Sequence, residues 1–160
     1  MATNAQAVQF LTLSITPALQ KIDLWSLAAE ELLLGTALVE SDLRYRRQLG
    51  AGPARGLFQM EPATHDDIWN NFLRYRANLA NKIRALMTSP EANKHLELET
   101  NDQYACAMAR AHYLRVPTPL PPAGNVDAMA GYWKQYYNTP LGAGTVSKYI
   151  QRWNRTMGGQ

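Results

Sequence analysis

Apolar residues recur at helical spacing along most of the chain, and prolines, glycines and capping residues separate the helical stretches. The clearest repeat follows Asp23, where apolar positions three and four residues apart predict a helix from Leu24 to about Ser41. The other predicted helices run from Asn4 to about Thr16, from Pro62 to about Thr88, from Asn101 or Asp102 to about Arg115, from Asn125 or Asp127 through Tyr136, and from Thr145 or Ser147 to about Met157.

Two segments interrupt this helical pattern. Glycines and a proline within residues 42–56 predict a loop, and a minor β-hairpin after Glu40 is the one place where the pattern permits strands. Four prolines between Pro117 and Gly124 predict a stiff, extended connection. We therefore predict a mainly α fold of six or seven helices in a single domain, residues 1–160, with residues 1–22 as an N-terminal extension helix packed on it.

The composition of the 160 residues is that of a globular protein, with 46% hydrophobic and 18% charged residues. The net charge of +3 suits an anionic polymer as partner, but the excess is too small to indicate binding to DNA. Cys106 is the only cysteine, so no disulfide can form within the chain. Its helical surroundings indicate a buried apolar residue rather than a nucleophile.

The N-terminal segment does not have the pattern of a signal peptide. It lacks a basic start, and Thr12, Ser14, Thr16 and Pro17 interrupt its apolar stretch. No run of about 18 apolar residues is present, so we expect no membrane span. If the protein acts outside the cytoplasm, we expect another route to carry it there.

Glu40 ends the predicted Leu24–Ser41 helix on the same face as Leu33 and Ala37. A carboxylate there points along an apolar face and lies where the helix macrodipole disfavours negative charge. Burial and the dipole both raise its pKa, as a general acid working near neutral pH requires. The alternative is an ordinary boundary glutamate whose side chain reaches water.

Two segments around this glutamate carry a family resemblance: Val-Glu-Ser at 39–41 and Gly-Leu-Phe-Gln-Met-Glu-Pro-Ala-Thr at 56–64. The arrangement resembles soluble lytic transglycosylases and goose-type lysozymes. In that group a Glu-Ser pair at a helix end precedes a glycine-rich loop, a Gly-Leu-Met-Gln-like segment and a proline that opens the next helix. The resemblance implies a lysozyme-like fold with Glu40 as the catalytic residue. It also implies substrate contacts from Ser41, from Gly56 through a close backbone approach to sugar, and from Gln59, which would bind substrate or brace the acid.

A third segment, Gly-Tyr-Trp-Lys-Gln-Tyr-Tyr-Asn-Thr-Pro-Leu-Gly-Ala-Gly at 131–144, resembles the Ala-Tyr-Asn-Ala-Gly region of the same family. There a tyrosine lies beside the catalytic glutamate and can form a hydrogen bond with it. The match implies that Tyr137 is this tyrosine and that Asn138 is the neighbouring asparagine, with Tyr136 as the alternative if the register shifts by one. Asn138 is also consistent with a simple C-cap of a helix.

The resemblance implies cleavage of the β-1,4 bond between MurNAc and GlcNAc in bacterial peptidoglycan. Glu40 would protonate the glycosidic oxygen and then accept the proton of the C6 hydroxyl, which closes a 1,6-anhydro ring without any cofactor. Hydrolysis by a muramidase is the alternative, and it requires a second carboxylate to activate water. Asp42 and Glu61 are the candidates, although Asp42 also suits a turn and Glu61 the first turn of a helix.

Other polar and aromatic residues point less clearly to chemistry. The histidines His65, His95 and His112 share no metal-ligand spacing, so we expect no metal. Trp69 and Trp133 fit helical faces, which predicts core positions rather than platforms for stacking sugars.

The loop after Glu40 departs from the family pattern. Arg44, Arg46 and Arg47 replace a more neutral stretch, and Phe58 replaces the usual methionine. The arginines either bind the carboxylates of peptidoglycan or form a solvated basic loop.

The pattern Tyr-Trp-Lys-x-Tyr-Tyr-Asn-Thr-Pro-Leu-Gly-x-Gly-Thr at 132–145 resembles bacteriophage members of the family. That resemblance implies a role in wall penetration or lysis, with peptidoglycan strands and other virion or tail proteins as partners. The expected location is the virion, or the host periplasm after release. A non-catalytic virion or tail protein with the same fold is the rival from another class, and an unrelated helical regulator is the third hypothesis.

Overall fold

The computed structural model describes residues 1–139 and 141–158, and within them the chain is mainly helical. The mainly α fold predicted from the sequence is therefore confirmed, with more helical segments than the six or seven expected. The elements in chain order are α1 (Asn4–Phe10), a π-helical turn (Leu11–Ile15), α2 (Thr16–Lys21), α3 (Leu27–Ser41), α4 (Pro62–Asn71), a 3₁₀ turn (Leu73–Tyr75), α5 (Ala77–Arg84), α6 (Lys94–Thr100), α7 (Asp102–Leu114), α8 (Val126–Trp133), a second π-helical turn (Lys134–Asn138) and α9 (Val146–Met157).

The predicted β-hairpin is wrong, because residues 1–139 and 141–158 contain no strand. Two isolated antiparallel bridges hold the loop after α3, one between Arg47 and Arg55 and one between Arg55 and Met60. Among the described residues, no helix has the length and apolar content that a membrane span requires.

The N-terminal helix does not end near Thr16 but continues to Lys21. Pro17 lies at the start of α2, directly after the first π turn. The wider winding of that turn accommodates a residue that has no N–H to donate.

Helix α3 begins at Leu27 rather than at Leu24, because Ser26 caps it. The Ser26 hydroxyl accepts a hydrogen bond from the backbone N–H of Ala29 at 3.0 Å. The N–H of Leu24 instead donates to the carbonyl of Leu19 at 2.9 Å, which closes α2.

The continuous helix predicted from Pro62 to Thr88 is also wrong. Phe72 with φ −132° and Arg76 with φ −134° leave the helical conformation, so the chain turns between α4 and α5. Leu73, within that turn, and Ile83, on α5, are both completely buried. Burial of both side chains therefore outweighs the local helical preference of the segment.

Helix α3 lies at the centre of the molecule, because residues 32–39 are buried on every side of it. Gly35 faces α9, where a side chain at this position would overlap the phenol ring of Tyr149. On another face, the hydroxyls of Thr36 and Tyr113 form a buried hydrogen bond of 2.7 Å that joins α3 to α7. The last residues of α3 are consequently held from several directions.

The N-terminal helical segment, residues 4–21, contacts other parts of the molecule. Its Phe10 ring lies 5.9 Å from the ring of Phe58, and the Asn4 amide donates to the carbonyl of Thr156 at 3.2 Å. Apart from Ala54, the buried apolar side chains between Ala2 and Tyr149 form one cluster.

Candidate active site

A groove of about 560 Å³ opens where the C-terminal end of α3 meets the loop that follows it and the π turn after α8. Its lining residues come from four separate parts of the chain and are mostly polar. They are Glu40, Tyr45, Gln48, Ala54, Gln59, Met60, Glu61, Thr64, His112, Tyr137, Asn138, Thr139 and Ala143.

Glu40 supplies the ionisable group at the end of α3. The indole N–H of Trp133 donates to its Oε1 at 2.9 Å. Burial raises the pKa of Glu40 from 4.5 to about 7, although the Trp133 hydrogen bond and the charges of Lys148 and Arg152 act in the opposite direction. A carboxyl with this pKa exists in both protonation states near neutral pH, as acid and base catalysis by one group requires.

The backbone around Glu40 is fixed by side chains from other elements. Arg152 on α9 donates to the carbonyls of Leu38 at 2.9 Å and Val39 at 2.8 Å. The Tyr45 hydroxyl donates to the carbonyl of Glu40 itself at 2.9 Å. These donors cap the carbonyl end of α3, where the Leu38 carbonyl also accepts from the N–H of Asp42 at 3.0 Å. The cationic guanidinium also suits the negative end of the helix dipole.

Ser41 was predicted to contact substrate, and the structure contradicts this because the side chain is completely buried. Its hydroxyl donates to the carbonyl of Leu57 at 2.6 Å and accepts from the N–H of Leu43 at 3.2 Å. Ser41 therefore ties the loop segment before Gln59 to the end of α3.

Gly56 was predicted to permit a close approach to sugar, but the close approach is to protein. Its φ is +76°, and a side chain at this position would overlap the carbonyl oxygen of Leu98 on α6. Gly56 is itself buried, and its N–H donates to the carbonyl of Arg46 at 2.8 Å. The glycine is needed for the packing of the loop on α6.

Gln59, for which the resemblance implies a contact with substrate, lies in the groove with a left-handed φ of 48°. Its Nε2 donates to the carbonyl of Gly56 at 2.9 Å, which fixes the amide plane. The other end of this amide is an oxygen that can only accept hydrogen bonds.

Tyr137 and Asn138 also line the groove, on the second π turn. The expected bond between Tyr137 and the glutamate is wrong: its hydroxyl donates to the carbonyl of Phe58 at 2.7 Å, and Trp133 contacts Glu40 instead. Burial raises the pKa of Tyr137 well above its usual value, and the nearby charge of Glu40 raises it further. The Asn138 side-chain oxygen accepts from Lys134 at 2.8 Å.

Tyr136, the alternative in the register, points elsewhere. Its ring packs edge-on against Tyr132 with centroids 4.8 Å apart, and its hydroxyl lies 3.2 Å from that of Thr118. It does not line the groove, so the register that places Tyr137 there is the one the structure supports.

The two candidates for a second catalytic carboxylate, Asp42 and Glu61, lie in different surroundings. Asp42 is buried with φ 53° and forms an ion pair with Arg155 at 2.6 Å, outside the groove. It is therefore excluded as a water-activating group in this groove. Glu61 is exposed and lines the groove, at the position that precedes α4.

His112, on α7, is a groove residue for which no site role was predicted. Arg115 donates to its Nδ1 at 2.8 Å, and because a guanidinium only donates, the ring proton lies on Nε2. Burial, followed by the charge of Arg115, lowers the pKa of His112 to about 4. Its ring packs edge-on against Tyr137 with centroids 4.9 Å apart. The groove thus holds a neutral imidazole with an N–H to donate.

The arginines of the loop act mainly within the protein. Arg46 forms an ion pair with Asp102 at 2.5 Å, and Arg47 and Arg55 both pair with Glu99, at 3.1 and 2.9 Å. The loop is therefore anchored to the end of α6 and the start of α7, while the side chains of Arg44, Arg46 and Arg47 stay exposed. Whether they bind carboxylates of peptidoglycan stays a prediction.

Comparisons with protein-family models, with curated protein sequences and with solved structures find no significant match to this chain. The groove itself and the sequence resemblance are therefore the two observations that bear on function.

Proposed function

We propose that this protein cleaves the glycan strands of bacterial peptidoglycan as a lytic transglycosylase, with Glu40 as both acid and base. The observation that carries the proposal is a single carboxyl group with a pKa of about 7 in the lining of a polar groove. Such a group can donate a proton near neutral pH and accept one back later in the same reaction.

The hydrogen bond from Trp133 gives the two oxygens of Glu40 different tasks. Oε1 accepts the indole N–H at 2.9 Å, so Oε2 is the oxygen that carries the acidic proton. Once the proton has left, the indole N–H and the charges of Lys148 and Arg152 stabilise the carboxylate. The same contacts therefore favour proton release in the first step and leave a base for the second.

In the proposed reaction, Oε2 gives its proton to the glycosidic oxygen, and the bond from that oxygen to C1 of MurNAc breaks. The N-acetyl group of the sugar stabilises C1 until its own C6 oxygen bonds there. The C6 hydroxyl proton returns to Glu40. No water enters the products, which are a GlcNAc 4-hydroxyl and a 1,6-anhydro-MurNAc end, and the enzyme ends in its starting protonation state.

The other groove residues suit a carbohydrate. The Gln59 amide oxygen is an acceptor, the His112 Nε2–H is a donor, and both line the groove with Glu40. A groove of about 560 Å³ is of the size that small-molecule sites have, so it can hold a sugar unit.

Hydrolysis is the second candidate, because Glu61 lines the same groove as Glu40. If Glu61 activates a water molecule, the product carries a reducing MurNAc end instead of an anhydro end. Among the described residues, no other carboxylate lines this groove.

The test is mass spectrometry of muropeptides after purified peptidoglycan is incubated with the wild-type protein, with Glu40→Gln and with Glu61→Gln. We expect anhydro-MurNAc products from the wild type and from Glu61→Gln, and none from Glu40→Gln. Reducing-end products that depend on both carboxylates would establish a muramidase instead. Absence of products from a folded wild-type protein on several types of wall would favour the non-catalytic virion role.

We extend the proposal to a bacteriophage origin, in which the protein acts on the wall from the virion or in the host periplasm. This part is supported by the sequence resemblance of residues 132–145 alone.

A further inference from the structure

Two histidines and an aspartate from two helices meet at a single carboxylate oxygen, outside the groove. His65 and Asp66 belong to the first turns of α4, and His95 lies near the start of α6. His65 Nδ1 lies 2.9 Å from Asp66 Oδ1, and His95 Nε2 lies 2.7 Å from the same oxygen. The two imidazole rings stand almost perpendicular, with centroids 5.1 Å apart.

We propose that His65 Nδ1, the Asp66 carboxylate and His95 Nε2 form a binding site for a divalent transition-metal ion, with Zn²⁺ as the best-suited ion. The three ligand atoms all lie within 4.8 Å of one another. Two imidazoles and one carboxylate are ligands that zinc and its neighbours prefer, whereas Mg²⁺ and Ca²⁺ prefer sets of oxygen ligands.

An ion can be bound if Asp66 and His95 adjust around His65. In a tetrahedral site with bonds near 2.0–2.1 Å the ligand atoms stand about 3.3 Å apart. Asp66 must therefore move roughly half an ångström away from His65 Nδ1, and His95 must settle at the same spacing from both of the other ligands. Asp66 and His95 have side chains that are 52% and 41% exposed, which leaves them free to shift. Binding replaces two N–H···O hydrogen bonds with bonds to the ion, and each neutral ring then carries its proton on the other nitrogen. This nitrogen is Nε2 of His65, which faces the Tyr104 hydroxyl, and Nδ1 of His95.

His65 is the fixed member of the site. Its side chain is only 1% exposed, and its Nε2 lies 2.7 Å from the hydroxyl of Tyr104. Trp69 donates to that same hydroxyl at 3.0 Å, so the phenol is itself held in place. Metal-binding histidines commonly have such a partner on the second ring nitrogen, which orients the ring toward the ion. The exposed side of Asp66 and His95 leaves room for water as a fourth ligand.

The neighbouring charges oppose a dication. Lys94 and Arg84 line the same depression, and each lies over the ring of Trp69, at 5.4 and 5.0 Å. The bonds from the three ligands to the ion must therefore outweigh the repulsion between the ion and the charges of Lys94 and Arg84. Replacing Lys94 by a neutral residue should therefore strengthen Zn²⁺ binding. A cluster that serves only as a set of hydrogen bonds gives no reason to expect this effect.

The experiment is calorimetric titration of tag-free, chelator-treated protein with ZnCl₂, and with MgCl₂ for comparison. We expect one Zn²⁺ per chain and no heat from Mg²⁺. His95→Ala and Asp66→Ala should weaken Zn²⁺ binding by at least about tenfold. Asp67→Ala is the matched control, since this neighbouring carboxylate pairs with Arg115 and not with the histidines. It should bind Zn²⁺ as the wild type does, and Lys94→Gln should bind more tightly.

Circular dichroism establishes that each variant is folded, and substitution with Co²⁺ supplies a second measurement. The visible absorption of bound Co²⁺ should appear in the wild type and in Asp67→Ala and be lost in His95→Ala. Failure of the wild type to bind Zn²⁺ would overturn the proposal. Equal binding by His95→Ala, Asp66→Ala and the wild type would overturn it as well, because the ion would then occupy other ligands.

Discussion

Trp133, the last residue of α8, donates its indole N–H to Oε1 of Glu40 at 2.9 Å, next to the end of α3. An indole can only donate, so this bond favours the ionised carboxylate and lowers the pKa that burial raises. The pKa of about 7 is thus the balance between loss of water around the carboxyl group and the donors and cations that remain near it.

Replacing Trp133 by Phe removes this donor and keeps an aromatic ring. We expect the pKa of Glu40 to rise above about 7, because the hydrogen bond that favours the charged form is lost. Hydrogen bonds to charged groups contribute about 1.5–3 kcal/mol, so glycan cleavage should fall on the order of tenfold or more. Carbon-13 NMR titration of the glutamate carboxyls measures the pKa directly. Trp153→Phe, which changes a partly buried tryptophan without a bond to Glu40, is the control. An unchanged Glu40 pKa in Trp133→Phe would contradict the prediction.

Glu40 should also make the stability of the protein depend on pH. Below pH 4.5 its carboxyl is protonated in both the folded and the unfolded chain, so the group does not lower the free energy of unfolding. As the pH rises from 4.5 to about 7 the unfolded chain ionises first, and the folded state loses stability until its own carboxyl ionises. The shift corresponds to a loss of up to roughly 3 kcal/mol.

Glu40→Gln should therefore be more stable than the wild type at pH 8 and similar to it at pH 4. Urea unfolding of both proteins at the two pH values measures the difference, and other titrating groups cancel in the comparison. Glu61→Gln, which removes an exposed carboxylate of the same groove, is the control for a general effect of charge. A difference between Glu40→Gln and wild type that is the same at both pH values would show that burial of the charge is not its cause.

Gly56→Ala should destabilise the fold and distort the groove. The substitution places a methyl group into the carbonyl oxygen of Leu98 at a φ of +76°, and the backbone strain alone costs roughly 1–2 kcal/mol. Gly50→Ala has almost the same φ, +79°, but open space around the new methyl group. We expect thermal unfolding to show a clearly larger loss for Gly56→Ala than for Gly50→Ala. Equal losses would mean that the approach to Leu98 has no consequence.

Ser41→Ala tests whether this serine positions the loop or binds the substrate. Removing its hydroxyl leaves the carbonyl of Leu57 without its 2.6 Å donor, which should lower stability by about 1–3 kcal/mol. At a temperature where the variant is fully folded, KM for soluble glycan fragments should stay close to that of the wild type, since the side chain is completely buried. A raised KM with unchanged stability would instead indicate that Ser41 contacts the substrate.

The central helix and the special position of Glu40 could be predicted from the sequence, because both depend on local periodicity. Apolar residues on every face of α3 specify a buried helix. The carboxyl group at its end is therefore either removed from water or turned away from the buried face. The raised pKa expected for Glu40 is confirmed in direction. Gln59 and Tyr137, which the family resemblance singles out, line one groove with it.

The partners of these residues could not be predicted, because they depend on how distant helices pack. Trp133 precedes Tyr137 by one helical turn, which was a sign that both face the same side, but nothing local says which of them reaches the glutamate. Tyr137 lies on the π turn that begins directly after Trp133, and the wider winding of this turn gives its side chain a direction that an α-helix would not. His65 and His95 likewise meet only because the chain turns after α4, where the sequence pattern predicted one continuous helix.

The contact of Arg152 with the carbonyls of Leu38 and Val39 has a consequence for the order in which the protein is assembled. Glu40 is synthesised early on the ribosome. Arg152, which caps the end of its helix, and Lys148, whose charge lowers its pKa, both belong to α9 and are synthesised late. A nascent chain that has reached only α8 cannot form the groove with its final electrostatics. The proposed cleavage activity therefore requires that α9 has emerged from the ribosome and packed. We expect a chain that is interrupted before α9 to have no such activity.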